Sequence, residues 1–86
     1  MKVLGTILGL MMLTTVSAKV ECTQESKDKW KDQEQFKKEL EKTYKIKVFK
    51  VTEGNCYEIY GHNLENKKVE IYFNPVTGLP VKQRIE

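Results

Sequence analysis

Two spacings of apolar residues organise the chain from residue 30 onward. In the stretch WKDQEQFKKELEKTY, Phe36, Leu40 and Tyr44 recur every fourth residue, the period of one face of an α-helix. Asp32 stands where an N-cap would accept a backbone N–H, and Gln35 takes the capping-box position three residues on, so the spacing predicts one amphipathic helix of about three turns. The opposite face carries Lys37, Lys38, Glu39, Glu41 and Lys42. There the Glu34–Lys38 pair is favourable and the Lys38–Lys42 pair repulsive, as on a solvated surface.

From Lys45 the period changes to two. KIKVFKVT puts Ile46 and Val48 on one face with Phe49 and Val51 on the other, a broken alternation that predicts a bulge or a strand covered on both sides. Glu53-Gly54-Asn55 supplies a turn, with Gly54 free to take a positive φ, and CYEIYG forms a second strand. HNLEN, residues 62–66, leads to the third strand, KKVEIYF, in which Val69, Ile71 and Phe73 alternate with Lys68, Glu70 and Tyr72. Pro75 and Gly78 then suit a bulged hairpin loop, and residues 79–85 return as a fourth strand that Pro80 confines to an edge. One helix followed by strands on short loops means antiparallel neighbours. The expected fold is α+β, one N-terminal amphipathic helix packed on a three- or four-stranded antiparallel meander sheet. Phe36 and Leu40 should meet Tyr57, Ile59, Val69, Ile71 and Phe73, leaving Glu58, Tyr60, Lys68, Glu70 and Tyr72 on the outer face. Cys56 shares parity with that outer face, so a bridge from it must pass around the sheet edge or start before the strand is regular.

The first eighteen residues differ in kind. Met1 and Lys2 precede Val3 to Val16, a run without a charge, and Val16-Ser17-Ala18 places small or modest side chains ahead of the charged residues that begin at Lys19. This is the layout of a cleaved secretory signal, and the run is shorter than the ~20 residues a membrane-spanning helix needs. The expected organisation is a signal peptide at 1–18 and a domain at 19–86 whose residues 19–31 form an extended polar arm, held at Cys22 and by Trp30. The protein is then exported, periplasmic or secreted after cleavage near Ala18, and its mature form does not span the membrane. Losing Lys2 with the leader leaves 14 basic against 12 acidic residues, too small an excess to favour nucleic acid as a partner.

A mature chain of this size buries only about 60% of its unfolded surface, so a covalent staple matters. In an exported protein the isolated pair Cys22 and Cys56 is expected to form a disulfide, closing a loop of roughly 35 residues worth about 3 to 4 kcal/mol. The alternatives are a metal site or a reactive thiol. A metal would need further ligands, and the single histidine, His62, falls in a predicted polar turn without a carboxylate or serine fixed beside it. No residues are assigned to catalysis or metal binding, and no cofactor is expected. Tyr60 and Tyr72, with Glu58, Lys68 and Glu70, compose a candidate partner-binding face; the competing reading is cross-strand packing alone.

The ordered set Tyr44, Val48-Phe49-Lys50-Val51, Gly54-Asn55-Cys56-Tyr57-Glu58-Ile59 and Lys68 to Gly78 resembles the PepSY domain, in its small exported single-domain form. Cys22, Trp30, Cys56-Tyr57-Glu58 and Pro75-Val76-Thr77-Gly78 take the family's places in the same order. Asn74 stands where such sequences usually carry aspartate, and KTYKIK lacks the glycine common between helix and first strand, so the helix is expected to end at Tyr44 or Lys45 without a glycine cap. The resemblance implies a non-catalytic module that binds a protein, with an extracytoplasmic peptidase as a candidate partner that it inhibits or modulates. The alternative is a structural or stress-related envelope protein acting by self-association. A small-ligand carrier using the groove between helix and sheet is a third reading.

Overall fold

The computed structural model describes residues 19–86; the predicted leader at 1–18 lies outside the described residues. A polar arm with a single 3-10 turn at Lys27–Lys29 leads into helix α1 (Gln33–Leu40) and four strands, β1 (Tyr44–Val51), β2 (Tyr57–Asn63), β3 (Lys68–Phe73) and β4 (Pro80–Ile85). The strands form one antiparallel sheet in the order β1-β2-β3-β4. The fold is therefore the expected α+β arrangement, with four strands in the meander.

Asp32 begins α1 as anticipated. Its backbone is extended, and its side chain accepts the Gln35 N–H at 3.1 Å, satisfying one of the donors a helix start leaves open. The helix is shorter than its apolar spacing suggests. After Leu40 the chain tightens into turns in which the Lys42 and Thr43 N–H groups reach the Glu39 and Leu40 carbonyls, and Tyr44 opens β1 opposite Asn63. Sheet pairing outcompetes another helical turn there, and the change of direction falls at Lys42-Thr43 rather than at Tyr44 or Lys45.

Phe36 and Leu40 are buried against Tyr57, Ile59, Val69, Ile71 and Phe73, so the core is the predicted one. Phe36 meets Phe73 edge-on with centroids 5.3 Å apart, a favoured aromatic geometry. The irregularity in β1 is a bulge between Ile46 and Val48. It resolves the faces differently from the simple alternation: Ile46, Phe49 and Val51 pack on the core, and Val48, opposite Tyr60, is turned to the outer face and 43% exposed. Gly61 accommodates the bulge, since a Cβ there would lie 2.1 Å from the Lys45 carbonyl oxygen.

The turn at residues 53–55 needs its glycine for space. Asn55, not Gly54, takes the positive φ of 63°, which an asparagine tolerates. A Cβ on Gly54 would fall 1.8 Å from the Val20 carbonyl oxygen, because the arm crosses the turn at that point. Gly78 does adopt the left-handed conformation expected of it, with φ 78°.

The arm is fastened at several points. Cys22 is disulfide-bonded to Cys56, which lies just before β2 becomes regular, and the Cys22 N–H donates to the Gly54 carbonyl at 3.0 Å. Asn74 donates to the Cys22 carbonyl while its own side-chain oxygen accepts from Val76 and Thr77, so one residue ties the arm to the β3–β4 turn. Trp30 packs edge-on against Tyr57 at 5.6 Å, and the Tyr57 hydroxyl donates to the Lys31 carbonyl at 2.6 Å. Among the described residues no helix is long and apolar enough to cross a membrane.

Candidate partner-binding face

The side of the sheet away from α1 is built by strand register. Glu58 lies opposite Tyr72, Tyr60 opposite Glu70, and His62 opposite Lys68. Lys50 on β1 pairs with Glu58, while Lys82 and Arg84 on β4 pair with Tyr72 and Glu70. All five residues predicted for this face, Glu58, Tyr60, Lys68, Glu70 and Tyr72, are thus brought together. Two glutamates and two tyrosines alternate at its centre, and Lys50, Lys82 and Arg84 border them.

Glu58 departs from the expectation of a solvated face, being only 2% exposed. Its Oε1 lies 3.8 Å from the Lys50 Nζ, and its Oε2 is buried without a donor among the described residues. The neighbouring group is the carboxyl of Glu70, and two carboxyls this close favour protonation of one of them. Burial, then the contact with Glu70, raises the Glu58 pKa above the usual carboxylate range, outweighing the opposing effects of Tyr60 and Lys50. Burial acts on Glu70 in the same direction, but hydrogen bonds from Glu58, Tyr60 and Tyr72 and the charge of Arg84 bring its pKa below the usual range. Arg84 reaches Glu70 Oε1 at 2.8 Å and the Tyr72 hydroxyl donates to its Oε2 at 3.2 Å. The two acids are thus pushed apart, Glu58 toward its protonated form and Glu70 toward its charged one, as expected of two carboxyls in unequal surroundings.

The tyrosines sense the same pair. Tyr72 is pushed up to about 12, first by burial and then by the charges of Glu58 and Glu70. Hydrogen bonding to Glu70 and Glu58 raises Tyr60 as well. Tyr60 remains 38% exposed, with the Lys50 ammonium 5.7 Å from its ring centroid. The centre of the face thus offers aromatic surface beside two neighbouring carboxyls, inside a cationic border.

His62 is not in a turn. It belongs to β2, half-buried on the outer face between Lys45 and Lys68. Among the described residues no group of three or more histidine, cysteine, aspartate or glutamate side chains is placed to hold a metal ion, and both sulfurs are committed to the disulfide.

Sequence reasoning found the face but missed the burial of Glu58 and the contributions of Val48, Lys50, Lys82 and Arg84. A signal was present. The tripeptide Glu-Ile-Tyr occurs at 58–60 and again at 70–72, and antiparallel pairing of Ile59 with Ile71 sets each glutamate opposite a tyrosine and the two glutamates on a diagonal.

No curated protein and no solved structure matches the chain. The PepSY_2 family model, described as peptidase propeptide and YPEB domain, matches residues 3–84. That span takes in the arm, the helix and nearly all of the sheet, including both Glu-Ile-Tyr strands, and the chain belongs to the peptidase propeptide and YPEB domain family.

Proposed function

We propose that this protein is an exported, non-catalytic binding module that meets a protein partner through the outer sheet face. Glu58, Tyr60, Lys68, Glu70 and Tyr72 form the contact surface, and the candidate partner is an extracytoplasmic peptidase whose activity the module inhibits or modulates. Membership of a peptidase-propeptide family supports the class of partner, and the disulfide fits a chain that folds in an oxidising compartment.

The observation that carries the reading is the Glu58–Glu70 pair. A carboxyl buried without a donor costs stability and adds nothing to a core that lies on the other side of the sheet. Departures of this kind from the rules of packing concentrate where a surface has work to do. Glu70 also accepts from the Tyr72 hydroxyl, which holds that side chain in place and lowers the ordering cost of binding.

The test compares the disulfide-bonded domain, residues 19–86, with a Tyr60→Ser, Tyr72→Ser variant as bait for proteins of the extracytoplasmic fraction. Recovery of a peptidase by the parent chain and its loss with the folded variant supports the proposal. Equal recovery by both, or recovery of this chain alone, refutes it, and the latter outcome favours self-association.

A further inference from the structure

Among the described residues the sheet has two open edges, and they are not equivalent. On β1 the bulge between Ile46 and Val48 interrupts the ladder, and Lys45, Lys47 and Lys50 crowd the strand, devices that discourage further pairing. On β4 all six residues are exposed, and the irregularity lies at the start, where Val81 is skipped between the Phe73–Pro80 and Tyr72–Lys82 pairs. From Lys82 to Ile85 the ladder is regular.

The hydrogen bonding of that stretch can be assigned. The Glu86 N–H donates to the Lys68 carbonyl at 2.9 Å, and bonded and non-bonded pairs alternate along an antiparallel ladder. The Arg84–Glu70 and Lys82–Tyr72 pairs therefore carry the bonds to β3. Gln83 and Ile85 point their N–H and C=O groups away from the sheet, where no strand among the described residues meets them. Side chains divide with the same period. Lys82 and Arg84 lie on the outer face, opposite Tyr72 and Glu70; Gln83 and Ile85 lie on the helix side, opposite Ile71 and Val69. Ile85 is 52% exposed, and Lys82 has no carboxylate within 4.0 Å among the described residues.

We infer that the β4 edge accepts an extended segment of a partner protein as a fifth strand, and that this segment alternates acidic with apolar residues. The inference shares with the proposed function the premise of a protein partner but assigns a different surface. Backbone groups of Gln83 and Ile85 supply the ladder, acidic side chains of the added strand fall beside Lys82 and Arg84, and its apolar side chains fall beside Ile85. Antiparallel pairing of β4 with a second copy of itself centred on Gln83 sets Lys82 opposite Arg84 in both directions, so like charges oppose self-pairing in that register.

The probe is a short synthetic peptide alternating glutamate with valine, compared with one alternating lysine with valine, added to the disulfide-bonded domain. The glutamate peptide should bind saturably, shift the backbone resonances of β4 and slow amide exchange at Gln83 and Ile85; the lysine peptide should not. Gln83→Pro removes an N–H that takes no part in the β3–β4 ladder, so its melting temperature should match the parent's while peptide binding is lost. Lys82→Glu should weaken the glutamate peptide about fivefold, the effect of replacing an attractive cross-strand pair by a repulsive one. Absence of saturable binding, equal binding of both peptides, or undiminished binding to Gln83→Pro overturns the inference. Protection of Gln83 and Ile85 by self-association without peptide also overturns it. Shifts centred on Tyr60 and Tyr72 with β4 unmoved sink the edge and leave the outer-face reading intact; β4 binding with no loss of partner from the Tyr60→Ser, Tyr72→Ser variant does the reverse.

Discussion

Replacing Glu58 by glutamine should stabilise the protein, and only at pH values where the native carboxyl is forced to ionise. Glu58 is 2% exposed and its Oε2 has no donor among the described residues, so ionisation leaves a buried acceptor unsatisfied at a cost of about 1–3 kcal/mol. Against this stands the 3.8 Å contact with the half-exposed Lys50 ammonium, worth up to about 1 kcal/mol. Glutamine keeps the shape, carries no charge and offers an amide donor to Glu70. The net gain at pH 7.5 is about 1 kcal/mol, which for a domain of this size raises the melting temperature by about 4–8 °C.

The pH dependence follows from the direction of the shift. Because the folded-state pKa of Glu58 is raised, its contribution is fully present below the unfolded value of about 4.3 and is lost as pH rises through the folded value. Glu70, with its pKa lowered, behaves oppositely, contributing above about 4.3 and losing that contribution as pH falls through its folded value. Parent and Glu58→Gln should therefore unfold together near pH 4, where Glu58 holds its proton, and diverge toward pH 7.5. Thermal unfolding followed by circular dichroism at several pH values between these limits measures the difference. A variant less stable than the parent at pH 7.5, or a gap that does not change with pH, would refute the claim that burial raises the Glu58 pKa.

Three further outcomes probe the scaffold. Reduction of Cys22–Cys56 should lower stability by about 3–4 kcal/mol, read from denaturant titrations with and without reductant; a change under about 1 kcal/mol would mean that the other tethers of the arm suffice. Gly61→Ala should disrupt the β1 bulge, because its Cβ would lie 2.1 Å from the Lys45 carbonyl oxygen; a melting temperature equal to the parent's would contradict that packing. Tyr57→Phe removes the 2.6 Å bond to the Lys31 carbonyl and should cost about 1 kcal/mol while leaving β2 paired, which amide exchange of the sheet would show.

The strands and core were legible because their alternation is plain: Val69, Ile71 and Phe73 can face only one way if they share a face, and the structure buries all three. Asp32 and Gly78 were legible because their chemistry is local, a cap and a left-handed turn residue. Tyr44 misled because a residue spaced by four from Leu40 fits a helix and, equally, the first position of a strand; sheet pairing, a long-range interaction, decided it. Gly54 was expected to supply a positive φ, whereas what it supplies is room for an arm more than thirty positions earlier in the chain, which no local pattern records. At the candidate face, composition and parity were visible in sequence. The burial of Glu58 was not, because it arises from neighbours on three strands at once.

The central claim is that the outer sheet face is where the partner sits. Photo-crosslinking from single positions tests it most directly, with a photoreactive residue placed at Tyr60 in one protein and at the exposed Lys38 of α1 in another, each irradiated in its native compartment. Covalent capture of one partner from position 60 and none from position 38 is the predicted result. Capture from position 38 alone, or from neither while the same partner still copurifies, would contradict the account.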